Sequence, residues 1–154
     1  MTKKRKVLSI ILIVLITATV AFIWSNSMRT KTQSAEQSGS SYSFFKVILD
    51  FIFGEGVITH DVFRKLAHGI EFFVLGLELN LLLITVKGFA IKRVWLSVVS
   101  GLFVAVMDEC IQILAKRGAS VIDVLIDFGG VLTATLITSL IAYLIIKKRK
   151  GRKS

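Results

Sequence analysis

Four long apolar runs dominate the chain. The first, Val7 to Trp24, holds eighteen residues without a charge. The second runs from Leu66 to Val86 and is interrupted by His68, Glu71, Glu78 and Asn80. The third, Val94 to Leu114, carries Asp108, Glu109 and Gln112 near its end. The fourth, Val121 to Ile146, carries Asp123 and Asp127 near its start. Each is close to the ~20 residues that a helix needs to cross about 30 Å of hydrocarbon. None alternates with the period of two that a membrane strand requires, which excludes a barrel. The pattern predicts one all-α membrane domain over 1–154, a bundle of four transmembrane helices spanning about 7–24, 66–86, 94–114 and 121–146.

The connection between the first two runs divides into two parts. Residues 25–43 are rich in Ser, Thr and Gln and read as a flexible polar stretch. Phe44 to Phe53 then reads FFKVILDFIF, with Lys46 and Asp50 four apart on one helix face. It is too short to span, and predicts a short amphipathic helix lying in the outer interface, or alternatively a helix packed into the core. Gly54 and Gly56 end it.

Composition narrows the class further. Hydrophobic residues make up 54% of the 154 and charged residues only 19%, below the quarter usual in soluble domains. Such hydrophobicity excludes disorder over most of the length. The single cysteine, Cys110, excludes a disulfide scaffold and a cysteine metal cluster. The net charge of +10 does not indicate nucleic acid, because the basic residues sit at the edges of the apolar runs. Lys3 to Lys6, then Lys87, Lys92 and Arg93, then Lys147 to Lys150 with Arg152 and Lys153, hold thirteen basic residues and no acidic one. Four spans put all three segments on one side, so both termini are expected in the cytoplasm of a multi-pass cell-membrane protein. A cleaved signal peptide ending near Thr19-Val20-Ala21 is the rival reading of the first run.

Ionisable groups inside hydrocarbon cost several kcal/mol each and usually face a bundle interior or a cavity. At about 100° per residue, Asp108, Glu109 and Gln112 share one face of the third helix. Asp123 and Asp127 lie one turn apart on the fourth, and Arg64, His68, Glu71 and Glu78 share a face of the second. All but Glu78 and Asn80 fall in the outer half of the membrane, with Arg117 and Ser120 in the adjoining loop. Three polar stripes therefore converge on one layer. The plainest account is an ion-pair network in which Lys65, His68 and Arg117 neutralise Glu109, Asp108 and Asp123. Gly69 and Gly76, and Gly130 with Ala134, mark close-packing faces.

Trp24-Ser25-Asn26-Ser27, Lys65-Leu66-Ala67-His68, Asp108-Glu109-Cys110-Ile111-Gln112, and Arg117 with Ser120, Asp123 and Gly130 together resemble the VanZ-like family. Its pattern is a serine after the first helix, K-x-x-H, D-E-x-x-Q, then G-R, S, D, N and G. The resemblance covers about residues 20 to 140. Here Ala115-Lys116 replace the usual Pro-Gly, Asp127 stands where asparagine is common, and Glu71 where an aromatic is common. The founding member is associated with resistance to the glycopeptide teicoplanin in Gram-positive bacteria. The resemblance thus implies a cell-envelope role.

The candidate binding residues are Lys65, His68, Asp108, Glu109, Gln112, Arg117, Ser120, Asp123 and Asp127. The leading expectation is a pocket for a lipid head group or a lipid-linked cell-wall precursor, with Lys65 and Arg117 on phosphate. The alternative is an enzyme on such a lipid, with Glu109 as base, His68 as acid or metal ligand and Asp123 as orienter or second ligand, since a histidine with several carboxylates can hold a divalent ion. A proton or ion path and a purely structural role complete the set. No cofactor and no metal ligands are assigned from the sequence.

Overall fold

The computed structural model describes residues 2–117 and 120–151 and contains no strand among them. Gly118 and Ala119 of the predicted 115–120 loop, and Arg152 and Lys153 of the basic tail, lie outside the described residues. Five helices follow in chain order: α1 (Lys3–Ser27), α2 (Lys31–Phe53), α3 (His60–Lys87), α4 (Ile91–Leu114) and α5 (Val121–Gly151). All except α2 are long and apolar enough to cross a membrane. The four expected spans are therefore present, each helix running a few residues past one or both predicted ends.

Side chains with hydroxyls start every helix but α4, whose N-cap is Ala90. Thr2, Thr30 and Thr59 each accept a hydrogen bond from the backbone N–H three residues on, satisfying a donor the first turn leaves free. Ser120 does the same for Asp123 at the start of α5.

Helix α3 is the centre of the bundle, packed most extensively on α5 and also on α1 and α4. Its core is small: Ile23, Phe72, Leu75, Ala105 and Val131 are fully buried. Large apolar side chains such as Ile10, Trp95, Phe103 and Leu140 point outward. An outward apolar surface of this extent suits lipid rather than water. The α3–α5 contact is set by glycine. A Cβ on Gly76 would lie 2.7 Å from the Val131 carbonyl oxygen, and one on Gly130 would collide with the backbone of Gly69 and Phe73. Only hydrogen at these positions lets the two backbones approach so closely.

Two expectations about the long connection change. Residues 31–43 are not a flexible stretch; they form the first half of α2. A capping box between Thr30 and Gln33 nucleates the helix, and T-x-x-Q is its signature in the sequence. Nor is α2 short, since it has 23 residues. Its polar half packs on the start of α3, where Tyr42 Oη donates to the Ile58 carbonyl at 2.8 Å and Ser38 Oγ lies 2.8 Å from His60 Nε2. Its apolar half is not a core helix, because Phe44, Val47 and Phe51 are strongly exposed. Lys46 and Asp50 pair at 2.7 Å along the polar face.

Antiparallel neighbours gather the chain's acidic residues at one end. The end of α1 meets the end of α4 through Ser27 Oγ and Asp108 Oδ1 at 2.6 Å. The starts of α3 and α5 meet through Lys65 and Asp123. The basic segments lie at the opposite end, where Arg93 donates to the carbonyls of Lys87 and Gly88 at the end of α3.

Candidate functional site

The acidic end encloses a cavity of about 190 Å³ between α3, α4 and α5. Arg64, Lys65 and His68 reach it from α3, Glu109 and Gln112 from α4, and Asp123 and Asp127 from α5, with Arg117 over the mouth from the connecting loop. A second cavity of about 290 Å³ lies between α1, α2 and α3. Arg64, His68 and Arg117 line both and separate them.

Helical spacing explains why these groups meet. Arg64 and His68 are four apart, as are Asp123 and Asp127, so each pair stacks on one face. Asp108 and Gln112 have the same spacing, and Gln112 Nε2 donates to Asp108 Oδ2 at 2.8 Å. The turn after α4 aims Arg117. Lys116 adopts a left-handed φ of 59°, while Lys116 N–H bonds the Ile113 carbonyl and Arg117 N–H bonds the Gln112 carbonyl, both at 3.0 Å. This is the Schellman ending of a helix. It turns the chain back across the bundle, and Arg117 reaches the Asn26 carbonyl at the end of α1. Glycine takes such a φ without a Cβ penalty, so Lys116 occupies the position where the VanZ-like pattern carries glycine.

Of the residues expected from the sequence, Lys65, His68, Glu109, Gln112, Arg117, Asp123 and Asp127 line the cavity. Asp108 lies behind it, fully buried. Ser120 supports rather than lines it: its backbone N–H donates to Glu109 Oε2 at 2.8 Å and its hydroxyl caps Asp123. The ion-pair network is different from the expected one. Lys65 pairs with Asp123 at 3.4 Å. Arg117 makes no ion pair within 4.0 Å of Glu109, Asp108 or Asp123 among the described residues, because the turn carries its guanidinium toward α1. Burial and the neighbouring Arg64 lower the Arg117 pKa from its ordinary value, while Asp108, Glu109 and Asp123 oppose that shift. A guanidinium stays charged under any such shift.

Several residues were outside the expected site. Arg64 lines both cavities, and its four-residue spacing to His68 was the available signal. Glu71 lines the second cavity, 3.8 Å from His68 Nδ1. Ser27 holds Asp108. Ligand atoms of His68, Asp108 and Asp127, one from each of three helices, lie within 4.8 Å of one another, so the set that clusters with His68 holds Asp108 and Asp127 rather than Asp123.

The model of the VanZ/LLP1 family matches residues 7–143, from the first turns of α1 to near the end of α5. The chain belongs to that family. No curated protein and no solved structure matches it. Within the VanZ/LLP1 domain, the ordered motifs fall where three helices converge: Lys65 and His68 open α3, Asp108, Glu109 and Gln112 close α4, and Asp123 opens α5.

Proposed function

We propose that this VanZ/LLP1 protein holds the anionic head group of a membrane lipid or lipid-linked cell-wall precursor in its polar cavity, at the outer leaflet, and through it contributes to teicoplanin-type glycopeptide resistance. The observation that carries this reading is the cavity itself, where Arg64, Lys65 and Arg117 share the lining with Glu109, Asp123 and Asp127 at the end of an apolar bundle. Guanidinium and ammonium groups are the usual donors to phosphate, and arginine adds bidentate geometry. The polar end also sits near the depth of lipid head groups if α1, α3, α4 and α5 span the bilayer, because the acidic stripes lie toward one end of α3, α4 and α5.

The test replaces Lys65 and Arg117 with alanine, separately, in the full chain. Membrane abundance, lipid co-purifying with the protein, and the teicoplanin susceptibility of the expressing cells are measured together. The expected result is loss of bound anionic lipid and of protection at unchanged abundance. Wild-type lipid content and protection in both variants would reject the reading. Leaflet assignment is tested separately with an impermeant thiol label on exposed Ser40→Cys. The exposed Cys110 is first replaced by alanine. Labelling of intact cells is the expected result.

One observation favours a second reading, chemistry on the bound lipid. Glu109 is only 5% exposed, and its Oε1 has no hydrogen-bond partner while Oε2 is held by Ser120. An oriented carboxylate with one free oxygen facing a cavity suits a general base. Glu109→Gln would then retain lipid and lose turnover.

A further inference from the structure

We propose that His68, Asp108 and Asp127 bind one divalent transition-metal ion between α3, α4 and α5. The three offer ligand atoms within 4.8 Å of one another. A tetrahedral shell with bonds of about 2.1 Å needs ligand atoms about 3.4 Å apart, so small rotamer shifts close the set around an ion.

The second observation is independent of that clustering. Asp127 is 1% exposed, and neither of its carboxylate oxygens has a hydrogen-bond partner among the described residues. His68 Nδ1 is also without one. Buried polar groups are normally paired, and a carboxylate with two orphaned oxygens calls for a cation. Asp108, by contrast, is prepared as a ligand. Ser27 Oγ donates to one oxygen at 2.6 Å and Gln112 Nε2 to the other at 2.8 Å. Each oxygen retains a lone pair, and such outer contacts orient metal ligands.

Charge balance points the same way. Glu71, Asp108, Glu109, Asp123 and Asp127 gather at this end of the bundle, against the fixed cations Arg64, Lys65 and Arg117. Carboxylates outnumber the fixed cations here, an imbalance that a bound cation relieves. One imidazole and two carboxylates suit Zn²⁺ or Mn²⁺; Ca²⁺ asks for six to eight oxygens. Three protein ligands leave a coordination position open. His68 and Asp127 line the cavity, so the open position faces it.

The inference stands apart from head-group binding, and its test contains no lipid. The full chain in detergent is stripped with EDTA and titrated with Zn²⁺ or Mn²⁺, each alone. Metal content and thermal midpoint are read on the same samples, with Mn²⁺ pulsed EPR for nitrogen coupling. The wild type is expected to take up about one equivalent, to melt higher with metal, and to show one coordinated imidazole. Asp127→Asn fits the same space. It is expected to lose metal uptake by at least 100-fold while its metal-free midpoint stays at or above wild type, because a buried charge has gone. Ser27→Ala is expected to weaken binding by about 10–100-fold through Asp108. Should Asp127→Asn fail to fold, His68→Gln and the wild-type EPR signature decide. No uptake by the wild type, no nitrogen coupling, or stoichiometric binding by Asp127→Asn overturns the proposal.

Discussion

The two ends of the bundle bury polar groups of different kinds. Toward the basic end, Asn80 is fully buried and its amide nitrogen faces the Thr135 carbonyl at 3.1 Å, Thr138 Oγ1 at 2.6 Å and Ser139 Oγ at 3.0 Å. Ser97 and Thr135 hydroxyls lie 3.4 Å apart beside it. These groups are neutral, and helix α5 holds the Asn80 amide nitrogen while Asn80 Oδ1 has no partner among the described residues, so they act as glue between helices that leaves one neutral acceptor unpaired. At the acidic end the buried groups are ionisable, and His68, Glu71, Glu109 and Asp127 each keep at least one atom without a partner. The deeper Glu78 falls between the two, with Oε1 accepting from Thr19 at 3.2 Å and Oε2 free. Burying polar groups only for cohesion favours the first arrangement, because an unpaired neutral atom costs less than an unpaired ionisable one. The second persists where a ligand supplies the missing partner.

That contrast can be broken at its weakest geometric point first. Gly76→Val places a side chain against the Val131 backbone, and should cost about 3 kcal/mol or prevent assembly. Gel filtration and thermal unfolding in detergent check it, and both ends should fail together because α3 and α5 carry residues of each. Next, Asn80→Ala should cost about 1 kcal/mol of stability and leave lipid and metal retention at the other end unchanged. Loss of retention in a folded Asn80→Ala protein would show that the two ends are not separate devices.

Smaller changes sharpen the comparison at the acidic end. Lys116→Gly should stabilise by about 1 kcal/mol, since it removes a Cβ from a left-handed backbone position. No gain in the thermal midpoint would mean that the turn after α4 does not hold that φ. A double-mutant cycle on Lys65 and Asp123 should give a coupling of about 0.5 kcal/mol, because both side chains are partly exposed and screened. The same cycle on Glu109 and Arg117 should show only a weak through-space coupling, as the two feel each other's charge but form no ion pair.

The smallest effect is expected outside the bundle. Lys46 lowers the Asp50 carboxyl below its ordinary 3.8, helped by the Gly56 N–H, and Asp50 raises Lys46 in turn. A depressed folded pKa contributes stability that is complete above 3.8 and fades as pH falls through the folded value. Helix content of α2 should therefore be flat from pH 7 to about 5 and fall only as Asp50 protonates, and Lys46→Ala should weaken α2 above that acid range and leave it unchanged within it. Circular dichroism of the intact protein against pH reads this directly. A midpoint near neutrality would mean that another group controls α2.

Much of the molecule follows from the chain read in one dimension. Apolar length specified four spans, because hydrocarbon thickness and the helical rise leave little choice. The 3.6-residue period placed His68, Asp108, Glu109, Gln112, Asp123 and Asp127 on inward stripes, because only an inward face can carry such groups in lipid. The capping box at Thr30 and Gln33 was equally local, and composition masked it: a run of Ser, Thr and Gln looked like a loop. Side-chain partners were a matter for the tertiary structure alone. The depth and rotation of each helix are set by contacts such as Gly76 on Val131, and they decide at the ångström scale whether Arg117 meets Glu109 or the end of α1. They also decide that Asp127 is left with two bare oxygens beside His68 and Asp108, since a stripe gives direction along one helix but no distance between helices.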